Sequence, residues 1–467
     1  MNNQNMLQNN MNMNMMYNNM NNNNMNMNML NNNNMNLMNN NMNMNMNMNM
    51  NMNMNMNMNM NMNMNMMNNL RNMAQNTAQV MQFHGVNFNQ NNNFNNNNMN
   101  NNQMNNNIEA KKYPHKTGLE NLGQTCYMNS SLQCLANIKS FSNILLNLYN
   151  QLNPNTQKLT YAYTSLLYQL KNSNEKYKNP SQFKSILGEL NPLFEGNHAS
   201  DAKDLIMFIL QRLHLELKLP KQPQYQNPKL DFKQQEQISL DDKLSRAFFI
   251  NDFMNNQSCV AKIFHGIMRI QLECDGCKKI KYSYQTFNLI TFILKKISDE
   301  QRKIDQEFYP GINIYNAFEN DKKTETLTGE NMIYCNTCQA SHSGKTQQSI
   351  YILPAVLIIV LNRGRDNQDF NEQFNFPEVL DLSTGNYVIE NTSYKRFYLC
   401  GLITHLGESS SSGHFICYCR NDLNDPFFCY NDTQVSEGIE IDEGMRCNIS
   451  YKSEEKRTPY ILFYHQF

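Results

Sequence analysis

The stretch Gly118-Leu-Glu-Asn-Leu-Gly-Gln-Thr-Cys-Tyr-Met-Asn-Ser-Ser-Leu-Gln-Cys-Leu135 decides how the rest of the chain is read. Gly118, Asn121 and Gly123 are residues of tight turns, and they lead to a cysteine at the head of a run with helical spacing. Met128, Leu132 and Leu135 recur three to four residues apart, as one face of a helix requires. The pattern places Cys126 at or near a helix N-terminus, where the partial positive charge of the helix dipole favours a thiolate. A lone cysteine is more often a small buried hydrophobe. Here the Gly/Asn turn before the thiol, together with a Gly-His pair far downstream, favours a nucleophile.

Outward from that stretch the chain is uneven. From Met1 to Ile108 the only charged residue is Arg71, and Asn and Met make up nearly everything, with strict alternation through Asn51–Met66. Asn is depleted in strands, and this segment has too little varied apolar surface to fold alone. Residues 1–108 are therefore expected to be disordered, with self-association through Asn ladders as the sharper alternative; 109–116 reads as a linker, and 117–467 as one folded domain. The 467 residues carry 39 basic and 39 acidic side chains, a formal net charge of zero. No basic stripe suggests a nucleic acid, and no run of 18 or more apolar residues suggests a membrane span. Twelve cysteines without a secretory signal point to reduced thiols and metal ligation in a cytosolic or nuclear compartment.

The folded part begins helical and ends in strands. Helices are expected over Ser140–Leu152, Leu159–Leu170, Ser181–Leu190 and Asp201–Leu217, the last with Leu205, Phe208, Ile209 and Leu213 at helical spacing. Lys221–Gln237, rich in Gln, Pro and Lys, reads as a loop or insertion. Strand-like runs come next at Ile263–Leu272, Lys279–Leu294, Gln347–Asn362, Phe397–Leu406, His414–Arg420, Pro426–Tyr430 and Tyr460–His465. Helices first and strands later indicate an α+β domain.

Two constellations carry chemistry. Cys274-x-x-Cys277 and Cys335-x-x-Cys338 offer four thiolates, the tetrahedral all-sulfur environment that Zn²⁺ prefers. A long β-ribbon returning on itself would bring the pairs together, and with four protein ligands the metal would be structural. His265 and His342 rank below the cysteines as ligands. The second constellation is Gly413-His414-Phe415 followed by Tyr430-Asn431-Asp432. A thiol nucleophile needs an imidazole to manage protons and a third group to orient that imidazole, and Asn or Asp serves. Any one histidine is more often a packing or surface residue; His414 stands out because Cys126 and Asn431 complete a set. His405 is expected to pack or hydrogen-bond nearby.

These residues resemble a known family. Gly118–Leu135 is similar to the cysteine box of the ubiquitin-specific proteases, papain-like deubiquitinating enzymes, and GHFICYCRN…FFCYNDTQVSE to their histidine box. YILFYHQF resembles their closing strand, DAKDLIMFILQRLHLEL the helix after their QQDA motif, and LPAVLIIVLNR a strand before the second half of the domain. The resemblance runs from about 117 to 467. It implies a right hand with a helical thumb, a mixed palm and β fingers tipped by zinc. It also implies Cys126 as nucleophile, His414 as general base, and Asn431 as orienting residue, with Asp432 able to share or take that role. Asn121 would stabilise the oxyanion and Asp201 would grip the extended tail of ubiquitin. The implied substrates are ubiquitin conjugates.

The chain departs from the pattern at Gln124, where Asn is usual, and at His198-Ala199-Ser200, in place of the glutamines before Asp201. Phe415 stands for a common Tyr, and Gly364 for a Phe. None touches Cys126, His414 or Asn431, so an active enzyme with altered affinity is expected. The alternatives are a catalytically weak ubiquitin-binding scaffold and a protease for another ubiquitin-like modifier.

Overall fold

Strand alternation sets the architecture. In Val356–Leu361 every residue is buried, and the side chains divide by parity: Val356, Ile358 and Val360 enter one core, Leu357, Ile359 and Leu361 another. A strand without a polar face must be covered on both sides, and here both coverings are present. The computed structural model describes residues 115–218, 256–304, 311–364, 370, 372–389, 395–409, 412–439, 441 and 456–467. The disorder expected for 1–108, most of the 109–116 linker and the Lys221–Gln237 loop fall outside them.

In chain order the helical half comprises β1 (Gly118–Leu119), α1 (Cys126–Asn137), α2 (Lys139–Leu148), α3 (Lys158–Asn172), β2 (Tyr177–Lys178), α4 (Ser181–Leu190), α5 (Ala202–Glu216) and α6 (Cys259–Phe264). The ribbon and its flanks come next: β3 (Gly266–Cys274), β4 (Ile280–Phe287), β5 (Ile290–Ile293), α7 (Leu294–Ile304), β6 (Ile312–Asn313), α8 (Ile314–Asp321), β7 (Glu325–Leu327), β8 (Ile333–Cys335), β9 (Ala340–His342) and β10 (Gly344–Ile352). The last part holds β11 (Val356–Asn362), β12 (Phe374–Asn375), β13 (Val379–Asp381), β14 (Arg396–Ser409), β15 (Ser412–Cys419), β16 (Phe427–Asn431), β17 (Gln434–Ile439) and β18 (Arg457–Gln466).

The main sheet runs β17-β16-β15-β14-β18-β11-β5, with β13 also paired to β14. One face carries α1 to α6 and the first core; the other meets α7 and α8 over the second. The parity of β14 changes on the way: Tyr398 and Cys400 face the first core, and so does Ile403, because the register against β18 shifts between Leu399 and Gly401. A bulge of this kind bends the strand and re-aims the residues beyond it. Each fully buried Leu, Ile or Phe contributes about 1.5–3 kcal/mol. Truncating Leu132, wholly buried on α1, would cost about 2–5 kcal/mol.

A second sheet, β4-β3-β10-β7, forms the ribbon, with β10 running back along β3 from Gly344 opposite Cys274 to Ile352 opposite Ile267. That is the returning ribbon the cysteine spacing required. Three details differ from the sequence reading. Ile263 and Phe264 close a short helix, capped by the Ser258 side chain, rather than open a strand. The Lys279–Leu294 run is two strands broken after Phe287, and Leu294 starts a helix. Gly118 lies not in a turn but in a parallel strand pair with Tyr177–Lys178.

Candidate active site

Cys126 is the first residue of α1 and is partly exposed. The turn before it is built from its own side chains. Asn121 Oδ1 accepts from the Gly123 and Thr125 backbone N–H groups, each at 3.1 Å. Thr125 Oγ1 accepts from Leu122 N–H at 2.9 Å and lies 3.2 Å from Asn121 Oδ1. Gly123 holds φ +138° with Asn197 pressed against it, so a Cβ there would be strained and crowded. The first N–H groups of a helix have no intrahelical partner, and Cys126 and Tyr127 occupy that first turn.

His414 stands on β15, opposite Leu406 of β14. Its imidazole is pushed up to about 9, above all by the Cys126 thiol; burial opposes the shift, and Asn431 and the Asp432 charge assist it. The thiol at the start of α1 thus lies near enough to be the largest influence on this imidazole. His414 Nε2 lies 2.7 Å from Asn431 Oδ1, and 3.7 Å from Asp432 Oδ2. Asn431 ends β16, and Asp432, at φ +51°, starts the tight turn into β17. Asp and Asn tolerate that conformation better than most residues.

Asp432 is held from the other side. Its Oδ2 accepts from Asn121 Nδ2 at 2.9 Å and its Oδ1 from Asn129 Nδ2 at 2.7 Å. Asn129, almost wholly buried one turn along α1 from Cys126, also reaches the Leu119 and Glu120 carbonyls. Asn129 was missed because periodicity scores apolar positions only; a buried amide in the turn after the thiol was the available signal. Gly118 completes the clamp. Leu119 N–H donates to the Asp432 carbonyl at 2.8 Å, and a Cβ on Gly118 would lie 2.5 Å from that oxygen.

His405 packs edge-on against Phe370 and Phe415 beneath the site, and burial pushes its imidazole down to about 4, keeping it neutral. Asp201 N-caps α5, accepting Lys203 N–H at 2.8 Å, and its other oxygen accepts from Tyr460 Oη at 2.7 Å. Burial raises the Asp201 carboxyl and the Tyr460 bond partly offsets that. The sequence reading did not find Tyr460 as this partner.

At the ribbon tip the four expected cysteines converge. Their Sγ atoms all lie within 4.8 Å of one another, with Cys274–Cys338 at 4.0 Å and Cys277–Cys335 at 3.6 Å. A tetrahedral ion with bonds of about 2.3 Å sets its sulfurs about 3.8 Å apart, so the donor set fits zinc. Lys278 and Gln339, each directly after the second cysteine of its pair, take positive φ and fold the two knuckles. The Cys338 backbone N–H draws the Cys335 thiol down to about 6, while burial pushes the Cys338 thiol up to about 12. Neither alternative histidine joins the four sulfurs: His265 packs at a tilt against His214 with ring centroids 4.9 Å apart, and His342 lies against Gly276.

A thiol at a helix start, an imidazole on the facing sheet and a ribbon tipped by four cysteines define a papain-like α+β fold. Residues 117–464 match the family described as ubiquitin carboxyl-terminal hydrolase, and the chain belongs to that family. It is 25% identical over 373 residues to ubiquitin carboxyl-terminal hydrolase 2 of Bos taurus, covering 76% of this chain and 56% of that protein. It is 27% identical over 393 residues to ubiquitin carboxyl-terminal hydrolase 4 of Vanderwaltozyma polyspora, covering 75% and 41%. A shorter match, 30% over 189 residues, joins it to ubiquitin carboxyl-terminal hydrolase 15 of Xenopus tropicalis, covering 39% and 19%. The chain spans about half the length of the curated relatives it matches. Among the described residues no helix is long and apolar enough to cross a membrane.

Proposed function

We propose that this chain is a thiol isopeptidase that releases ubiquitin from the lysine side chains of modified proteins. The observation that carries the reading is His414 held 2.7 Å from Asn431 and raised chiefly by the nearby Cys126 thiol, on a chain of this family. The Cys126 thiolate attacks the carbonyl carbon after the ubiquitin tail, and the oxygen takes up negative charge. Asn121 Nδ2 and the N–H groups at the start of α1 donate to that oxygen; one such donor is worth about 2.7–4 kcal/mol in the transition state. The C–N bond then breaks, His414 gives its proton to the departing lysine amine, and an acyl thioester remains on Cys126. Water, deprotonated by His414, hydrolyses the thioester. Asn431 keeps the imidazole oriented, and Asp432 fixes Asn121 and Asn129 beside it. Asp201, supported by Tyr460, binds the basic part of the ubiquitin tail.

Zn²⁺ is assigned to Cys274, Cys277, Cys335 and Cys338, where it would cross-link the ribbon tip and leave no position open for chemistry. The proposed setting is cytosolic or nuclear, and residues 1–108 are proposed as a disordered arm outside the catalytic domain. A ubiquitin carrying a C-terminal electrophile tests the enzyme. Covalent labelling lost in Cys126→Ala supports it, whereas well-folded protein that binds the probe without reacting would make the chain a scaffold. Preferential cleavage of another ubiquitin-like modifier would reassign the substrate.

A further inference from the structure

A second group of thiols lies behind the active site, in the core between α1 and the main sheet. The Sγ atoms of Cys134, Cys417 and Cys419 lie within 4.8 Å of one another, all buried, with Cys134 and Cys419 at 3.8 Å. Cys134 is on the helix that begins with Cys126; Cys417 and Cys419 share one face of the strand that carries His414. Three small apolar side chains would pack without help. This group instead has polar company: the Asn137 amide and the Lys171 amine both lie near enough to influence Cys419.

We propose that Cys134 and Cys419 form a reversible disulfide under peroxide, tying the nucleophile's helix to the base's strand. Burial pushes the Cys419 thiol up, but Cys134, Cys417 and the Asn137 amide, with a smaller part from Lys171, whose own amine burial lowers, hold it below its ordinary value. Burial keeps Cys134 and Cys417 protonated. One thiolate beside a thiol at contact distance is the arrangement that peroxide chemistry uses. The Cys419 thiolate attacks one peroxide oxygen, the O–O bond breaks and hydroxide leaves, giving a sulfenic acid. The Cys134 sulfur then attacks the Cys419 sulfur, the S–O bond breaks, and the departing hydroxide takes the Cys134 proton as water. Two thiols and one peroxide become one disulfide and two waters. The sulfurs must close from 3.8 Å to about 2.05 Å, a small movement of α1 against β15.

The cover assigned to the thiols in this proposal is the segment His115–Thr117, which packs on Tyr430 and lies near Lys171. It is held by Tyr430 Oη to the His115 carbonyl at 2.5 Å and by Gln133 Nε2 to the Thr117 carbonyl at 3.0 Å. Local opening of so short a cover admits a small oxidant at far less cost than global unfolding.

The test treats the full-length chain with hydrogen peroxide, blocks remaining thiols and maps peptides by mass spectrometry without reduction. The expected result is a linked pair containing Cys134 and Cys419, separated again by dithiothreitol. No such pair at doses that oxidise Cys126, or a bond between other partners, would overturn the proposal. In Cys134→Ser, shown to be folded by circular dichroism, Cys419 should be trapped as a sulfenic acid by dimedone; an unmodified Cys419 there would also overturn it. If that variant does not fold, the peptide map of the unsubstituted chain decides.

Discussion

The Cys126 site and the ribbon tip each bring reactive side chains to one point, by opposite routes. At the ribbon tip the four sulfurs arrive in two local pairs, joined across 58 and 64 residues by strands that pair with each other. At the Cys126 site the partners come from 303 and 311 residues apart and meet only because a helix packs on a finished sheet. The tip needs four like atoms at one spacing and would tolerate small errors in orientation. The site needs each polar atom turned a particular way, and Asp432 uses both oxygens to hold Asn121 and Asn129. Damage to the first should therefore read out in stability, and damage to the second in turnover.

The largest expected effect tests that division most directly. Cys126→Ala should reduce cleavage of a fluorogenic ubiquitin substrate by about 10⁴-fold or more while melting temperature and metal content stay unchanged. A parallel loss of stability would mean that the two regions are not separable. Asn431→Ala should lower kcat by about 10²-fold, the scale of a lost orienting or donor group. It should also move the alkaline limb. Because His414 is raised to about 9, largely by Cys126 and then by Asn431, kcat/KM should fall as pH rises through about 9. Without Asn431 that fall should begin at lower pH. The sign for stability is the same: the charged imidazole favours the fold fully below its ordinary value of 6.5, and that contribution is lost through about 9.

Cys335→Ser works on the other side of the comparison. Bound zinc, measured by atomic absorption, should drop from about one equivalent to near zero, and the melting temperature should fall. Turnover of the surviving folded protein should change less than in Asn431→Ala. Tyr460→Phe should be milder, raising KM several-fold with kcat nearly constant, since one hydrogen bond to a charged group is worth about 1.5–3 kcal/mol. Deleting residues 1–108 should have the smallest effect, within about twofold in kcat/KM, because uniform binding and chemistry both reside in the domain.

The same contrast explains what could be read from the chain. The C-x-x-C pairs were legible because their spacing is itself the geometry of a metal knuckle. Cys126 and the helix it starts were legible from the turn residues and the apolar face. His414 and Asn431 could be nominated because their chemistry completes a set with Cys126, and the family resemblance supported that set, since nothing local encodes a meeting across most of the chain. α7 and α8 went unread because their apolar residues adjoin strand-like runs: Leu294 follows Ile290–Ile293 without a break, and Ile314 follows β6 directly. Asn129 and Tyr460 went unread because they matter through single hydrogen bonds that no periodicity reports.

The strand Arg457–Gln466 is inserted between β14 and β11, both of which precede it in the sequence. During synthesis the centre of the sheet therefore stays open until these ten residues have left the ribosome. A partly made chain has the Cys126 thiol but no finished sheet for the His414 imidazole to stand on. The proposed site is therefore complete only once translation has delivered a strand that follows every other strand of this sheet.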